Sequence, residues 1–165
     1  MGKHRYLVAL GSNMRHHRHG CPRKVLDAAL KALDHGKLEL LAASPVIESA
    51  PLGPSRRRYA NAVALVRSKR EPDELLHKLQ KIEHKFGRRR MGKPWGARVL
   101  DLDIVLWNGG AYGADDLVIP HPAFRERRFV LDPAAKIAGR WRDPLTGFSI
   151  GQLRARLTKP RMAPR

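Results

Sequence analysis

The sequence predicts an α+β fold of the ferredoxin-like type, a β-α-β-β-α-β antiparallel sheet with helices packed on it. Three observations carry this. Two segments have a helical apolar stripe opened by proline and closed by glycine. Apolar runs of strand length lie between and around them. One of these runs, Val99 to Leu106, alternates strictly, with Leu100, Leu102, Ile104 and Leu106 expected on one face and Asp101 and Asp103 on the other.

The elements follow in order. Arg5 to Leu10 reads as a strand running into the turn cluster Gly11-Ser12-Asn13. Met14 to Gly20 is a basic, histidine-rich loop. Its His16, His17 and His19 have a metal-binding reading and a commoner solvated one. Pro22 starts a helix whose stripe is Val25, Leu26, Ala29, Leu30 and Leu33, with Gly36 as its stop. Leu38 to Ile47 reads as a strand, Ser49 to Arg58 as a long basic loop, and Tyr59 to Arg67 as another strand. Pro72 opens a second helix with Leu75, Leu79, Ile82 and Phe86 inward, ended by Gly87. Arg88 to Arg98 is a cationic loop around Trp95, and the Asp-Leu-Asp strand follows. Gly109 to Asp116 is a hairpin-like connection. Leu117 to Ile119 is a short strand before Pro120-His121-Pro122, and Arg127 to Leu131 reads as a final strand. Pro133 to Ala138 and Ser149 to Leu157 read as short helices. Residues 1–157 thus form one domain, and 158–165 a basic tail expected to be disordered. The two helices are expected on one face of the sheet, leaving the other for loops and a ligand.

At 165 residues the chain can bury a substantial core, and its 42% hydrophobic content is that of a soluble globular protein. With 33 Lys and Arg against 15 Asp and Glu, the net charge is +18. That favours anionic partners without choosing among nucleic acid, lipid and nucleotide phosphates. Cys21 is the single cysteine, so no intrachain disulfide forms, and a reducing, cytoplasmic location is expected. The apolar run Tyr6 to Leu10 is too short for a membrane span.

Two carboxylates on one strand face repel unless a cation lies between them. Magnesium suits them because it takes hard oxygen ligands and shares them with phosphates. The alternative is a solvated strand face. Arg88, Arg89, Arg90, Lys93 and Arg98 just upstream favour a metal-bound polyphosphate over that alternative. Trp95, between Pro94 and Gly96, reads as a structural plug or as a cover for a flat heterocycle. Tyr59 and Asn61 share a strand face. They form an ordinary cross-strand pair or read the polar edge of a bound ring. Glu83 borders the stripe of the second helix, three residues after Gln80, as an edge residue or an orienting carboxylate. His121 caps a strand or contacts a phosphate.

These residues together resemble the 6-hydroxymethyl-7,8-dihydropterin pyrophosphokinase family. The matching pieces are Gly11-Ser12-Asn13, Pro51-Leu52-Gly53-Pro54, Tyr59 to Val63, Glu83 with Gly87-Arg88, Trp95 to Ile104, and Pro120-His121-Pro122 followed by Arg127-Arg128-Phe129. Ala50, Pro94 and Ala97 depart from the family pattern. The resemblance implies long catalytic loops and transfer of pyrophosphate from ATP to the pterin hydroxymethyl group, with AMP released. It implies that Asp101 and Asp103 hold two magnesium ions and that Arg88 and Arg98 are catalytic. It assigns Gln80, Glu83, Trp95, Arg98, Ile104, His121 and Arg127 to ATP. Ser49, Leu52, Tyr59, Asn61, Trp95 and Phe129 are assigned to the pterin. The implied partners are ATP and a reduced pterin, the implied state a monomer.

The net charge also suggests a nucleic-acid-binding module. The chain lacks the aromatic strand motif of RNA-recognition sheets, and its ten aromatics leave few for base stacking. Nucleic acid and membrane are therefore not expected as partners. A pterin or nucleotide binder without turnover is a third reading, separable only by assay.

Overall fold

The computed structural model describes residues 3–49, 59–87 and 99–159. Elements β1 (His4–Ser12), α1 (Pro22–Ala32), β2 (Glu39–Ala43), β3 (Ile47–Ser49), β4 (Tyr59–Ser68), α2 (Pro72–Lys85) and β5 (Asp101–Trp107) are followed by β6 (Tyr112–Ala114), β7 (Leu117–Ile119), α3 (Arg128–Ala138) and α4 (Ile150–Thr158). The main sheet runs β2-β4-β1-β5, with β3 also paired to β4, and all pairings are antiparallel. The result is a mixed α/β fold in which α1 links β1 to β2 and α2 links β4 to β5. No helix among the described residues is long and apolar enough to cross a membrane.

Both early helices form as their sequences dictate. Pro22 and Pro72 occupy the first helical position, where a missing N–H costs nothing. Gly87 takes a φ of +95°, which a residue with Cβ adopts only under strain, so α2 stops there. Val25, Leu26, Ala29 and Leu33 from α1 join Leu75, Leu79, Ile82 and Phe86 from α2. They pack on one sheet face, against Tyr6, Val8, Leu10, Ala60, Ala62, Ala64, Val66, Leu100, Leu102 and Ile104. Burying each large aliphatic is worth about 1.5–3 kcal/mol.

The other face differs from expectation. Arg127 to Leu131 does not form a strand. Arg128 to Ala138 is a single helix, α3, that absorbs the short helix expected from Pro133. Its buried Val130, Leu131 and Ala134 follow helical spacing, and with Phe124, Ile150 and Leu153 they cover Leu7, Val63, Val105 and Leu106. Helices therefore lie on both faces, and only part of the second face is left open.

The alternation of β5 also breaks. Its pairing with β1 shifts between Leu7 and Val8, so that Leu7 faces Leu106 while Val8 faces Ile104. The extra residue, Val105, makes a bulge that reverses facing beyond it. Leu106 thus joins the second core instead of aligning with Ile104, and Trp107 packs on the first. Leu38 to Ile47 is likewise two strands. Pro45 lacks an N–H and interrupts the ladder. Ser44 bridges the gap: its N–H donates to the Val63 carbonyl at 2.9 Å and its Oγ accepts from the Val63 N–H at 2.9 Å. The connection after Gly109 contains a separate hairpin, β6 with β7, turning at Asp115-Asp116.

Candidate active site

The open part of the second face is built by register. Gly11 of β1 lies opposite Asn61 of β4 on one side and Asp101 of β5 on the other. Ile47 of β3 pairs with Asn61, and Ser49 with Tyr59, so one row crosses four strands. One step along, Ala9 faces Asp103. Strand parity puts Tyr59, Asn61, Gly11, Asp101 and Asp103 on this face, because their immediate neighbours fill the first core.

Gly11 lies directly beneath the Asn61 and Tyr59 side chains. A Cβ there would sit 3.4 Å from Asn61 Oδ1 and 3.8 Å from Tyr59 Cδ1. The two side chains therefore lie close over β1. Asn61 is buried, Tyr59 and Asp101 are half-buried, and Asp103 is exposed. This is a graded floor, with an amide and an aromatic at one end and two carboxylates at the other.

Glu83 acts from beneath. It is 3% exposed, and its Oε2 accepts the Leu102 N–H at 2.9 Å. β5 is an edge of the sheet, and this backbone group sits between the two aspartates. Glu83 thus satisfies an edge donor and ties α2 to the strand that carries the carboxylates. Gln80 is exposed, and Ile104 is buried in the first core.

The segment after β7 reaches the same strand. The His121 N–H donates to the carbonyl of the bulged Val105 at 3.0 Å. Its Nδ1 accepts the Ala123 N–H at 3.1 Å, so in the neutral ring Nε2 carries the proton. Burial holds this imidazole below its usual pKa, and Arg127 pushes the same way; Asp103 opposes them. The Arg127 guanidinium lies 5.6 Å from the centre of the Phe129 ring, and Phe129 packs at the border of the second core. Asp103, His121, Arg127 and Phe129 therefore rim one side of the floor.

The carboxylates fit magnesium. Among the described residues, no three His, Cys, Asp or Glu side chains converge as a metal cage. A pair of aspartates that leaves most of the coordination sphere to water and phosphate oxygens is the usual protein share for this ion. The histidine loop is solvated in part, with Arg15, His17 and Arg18 exposed. His16 is buried, its Nδ1 accepts the N–H groups of Arg18 and His19 at 3.0 and 3.1 Å, and its ring stacks on His17.

Arg88, Trp95, Arg98 and Leu52 lie outside the described residues, as does the Ser49 side chain, although its backbone is in β3. Sequence reasoning missed Asp143, which is fully buried and forms an ion pair with Arg125 beside the His121 segment. The two residues are far apart in sequence and carried no motif.

Comparison with known proteins gives a consistent picture. Residues 7–139 match the family model described as 7,8-dihydro-6-hydroxymethylpterin-pyrophosphokinase. A 2-amino-4-hydroxy-6-hydroxymethyldihydropteridine pyrophosphokinase of Synechocystis is 37% identical over 150 residues, covering 91% of this chain and 74% of the relative. The enzyme of that name from Haemophilus influenzae is 40% identical over 133 residues, covering 79% of each chain. Among solved structures, the HPPK-DHPS protein of Plasmodium falciparum superposes with a TM-score of 0.71 at 12% identity, over 93% of this chain and 43% of that one. The chain thus spans less than half of that protein, and this likeness speaks to the fold alone.

Proposed function

Because the chain belongs to the 7,8-dihydro-6-hydroxymethylpterin-pyrophosphokinase family of ATP-dependent diphosphotransferases, we propose that it transfers the pyrophosphoryl group of ATP to the hydroxymethyl oxygen of 6-hydroxymethyl-7,8-dihydropterin. The reaction belongs to folate biosynthesis. One observation carries this reading: the row in which Asn61 faces Asp101 across Gly11, with Tyr59 next to Asn61 and Asp103 next to Asp101 on the same sheet face. It supports a flat, hydrogen-bonding heterocycle at one end and a cation-bound phosphate chain at the other.

In the reaction the alcohol oxygen bonds to the β-phosphorus. The bond from that phosphorus to the α,β-bridging oxygen breaks, AMP leaves with the electron pair, and the alcohol loses its proton. Asn61 and Tyr59 hold the pterin edge and ring, so its alcohol points toward the carboxylates. Two magnesium ions held by Asp101 and Asp103 would supply charge neutralisation along the phosphates and acidify the alcohol. His121 offers its Nε2–H, and Arg127 its guanidinium, to phosphate oxygens. Phe129 offers an apolar ring beside the pterin. Arg88, Arg98, Trp95 and Leu52 enter through the resemblance, the arginines stabilising charge on the leaving phosphate and Trp95 covering the ring. The enzyme would act as a monomer in the cytoplasm.

The test is product identity. Incubation with magnesium, ATP and the reduced pterin, followed by anion-exchange separation, is expected to yield AMP and a diphosphorylated pterin. ADP with a monophosphorylated pterin would overturn the proposal.

A further inference from the structure

His121 and Arg127 bracket a 3-10 turn at Phe124–Glu126. The turn is a short relay of backbone bonds. Phe124 N–H donates to His121 O at 3.3 Å, Glu126 N–H to Ala123 O at 3.2 Å, and Arg127 N–H to Phe124 O at 3.3 Å. Such long bonds leave the turn weakly fixed by itself. Its inner side is anchored by Phe124, 1% exposed in the second core. Its outer side is anchored by Arg125. The guanidinium grips Asp143 with both arms, Nε to Oδ2 at 2.5 Å and Nη2 to Oδ1 at 2.9 Å.

Asp143 is itself immobilised. It is fully buried, and its carboxylate also accepts the Leu145 N–H at 3.0 Å and the Thr146 hydroxyl at 2.8 Å. Its N–H donates to Phe148 O at 2.8 Å and its carbonyl accepts the Gly147 N–H at 2.9 Å. The carboxylate thus sits in a closed loop leading into α4, which also packs on the turn. Burying a charge is costly unless every lone pair is used, and a bidentate pair adds orientation as well as attraction. The family match ends at residue 139, so Asp143 lies beyond it.

We propose that Asp143 is a positioning residue for the phosphate side of the site, acting through Arg125 to fix the turn that sets His121 and Arg127. The assignment of those two residues to phosphate rests on the function proposed above. The clamp touches neither nucleotide nor pterin.

The experiment compares wild type, Arg125→Lys and Asp143→Asn. It measures steady-state kinetics for both substrates and, independently of turnover, the Kd of magnesium-ATP by calorimetry. Arg125→Lys keeps the charge but loses the fork, and its side chain reaches the surface, so it carries the test should Asp143→Asn not fold. Both variants are expected to raise the KM and Kd for ATP by about tenfold or more. The pterin KM should stay within about twofold. A merely structural role would reduce only the folded, active fraction, lowering kcat with KM and Kd for ATP unchanged; that result overturns the proposal. A wild type that forms no AMP but loses ATP affinity in the variants overturns the assigned reaction and leaves the clamp standing. Unchanged ATP affinity overturns the clamp whatever the reaction.

Discussion

Replacing Glu83 with alanine tests how the aspartate strand is held. Glu83 is 3% exposed, and its Oε2 is 2.9 Å from the Leu102 nitrogen. Truncation leaves that edge N–H without this carboxylate in a place water barely reaches. An orphaned buried donor costs about 1–3 kcal/mol, and the lost side-chain volume adds a further part. The expected loss is about 2–4 kcal/mol, which at about 2–4 °C per kcal/mol lowers the melting temperature by roughly 4–16 °C. Glu83→Gln keeps a carbonyl acceptor of the same reach and should lose about 1 kcal/mol or less. Urea unfolding followed by tryptophan fluorescence measures both. In the alanine variant kcat should also fall, because Leu102 lies between the two carboxylates. The reasoning is refuted if the two variants are equally stable, or if Glu83→Ala unfolds within about 0.5 kcal/mol of wild type.

Three further outcomes follow. Burial alone would raise the Asp143 carboxyl, but the bonds from Arg125, Leu145 and Thr146 bring it from 3.8 down to about 2. Its stabilisation is therefore complete above about pH 3.8 and lost as pH falls through about 2. That contribution, on the order of 2 kcal/mol, should be missing from the acid unfolding curve of Asp143→Asn. Gly11→Ala should be nearly neutral. Gly11→Val should push Asn61 and Tyr59 aside and raise the pterin KM by about tenfold or more, read by steady-state assay. Asp103→Asn should lower kcat by about a hundredfold or more at an unchanged urea midpoint, since Asp103 is exposed; a normal rate would remove its metal role.

Local rules made α1 and α2 legible, because proline starts and apolar stripes act within one helix; Gly87 closes α2, whereas α1 ends at Ala32, ahead of the stop expected at Gly36. The same holds for α4, where Ser149 caps the first turn by accepting the Gln152 N–H. The Asp101 and Asp103 pair was legible because alternation holds up to Ile104. It fails at Val105, since a bulge is set by pairing across the sheet and leaves no local mark. Phe129-Val130-Leu131 looked like a strand by β-branched and aromatic content, yet a helical face fits the second core better. Leu38 to Ile47 looked like one strand because apolar composition runs across Pro45, where the structure breaks it into β2 and β3. Arg125 with Asp143 was invisible, because a long-range ion pair has no periodicity to reveal it.

The row from Ile47 through Asn61 and Gly11 to Asp101 has a thermodynamic consequence. Its members are held by ladder pairing on four strands, so the entropy of arranging them is expended when the chain folds. A ligand arriving on this floor pays little to order it, and binding enthalpy there need not be spent on rearrangement. Parting Asn61 from Gly11 requires separating the two central strands, β4 and β1, so the amide protons shared between them should exchange only with global unfolding. The site's most durable part is then as long-lived as the protein itself.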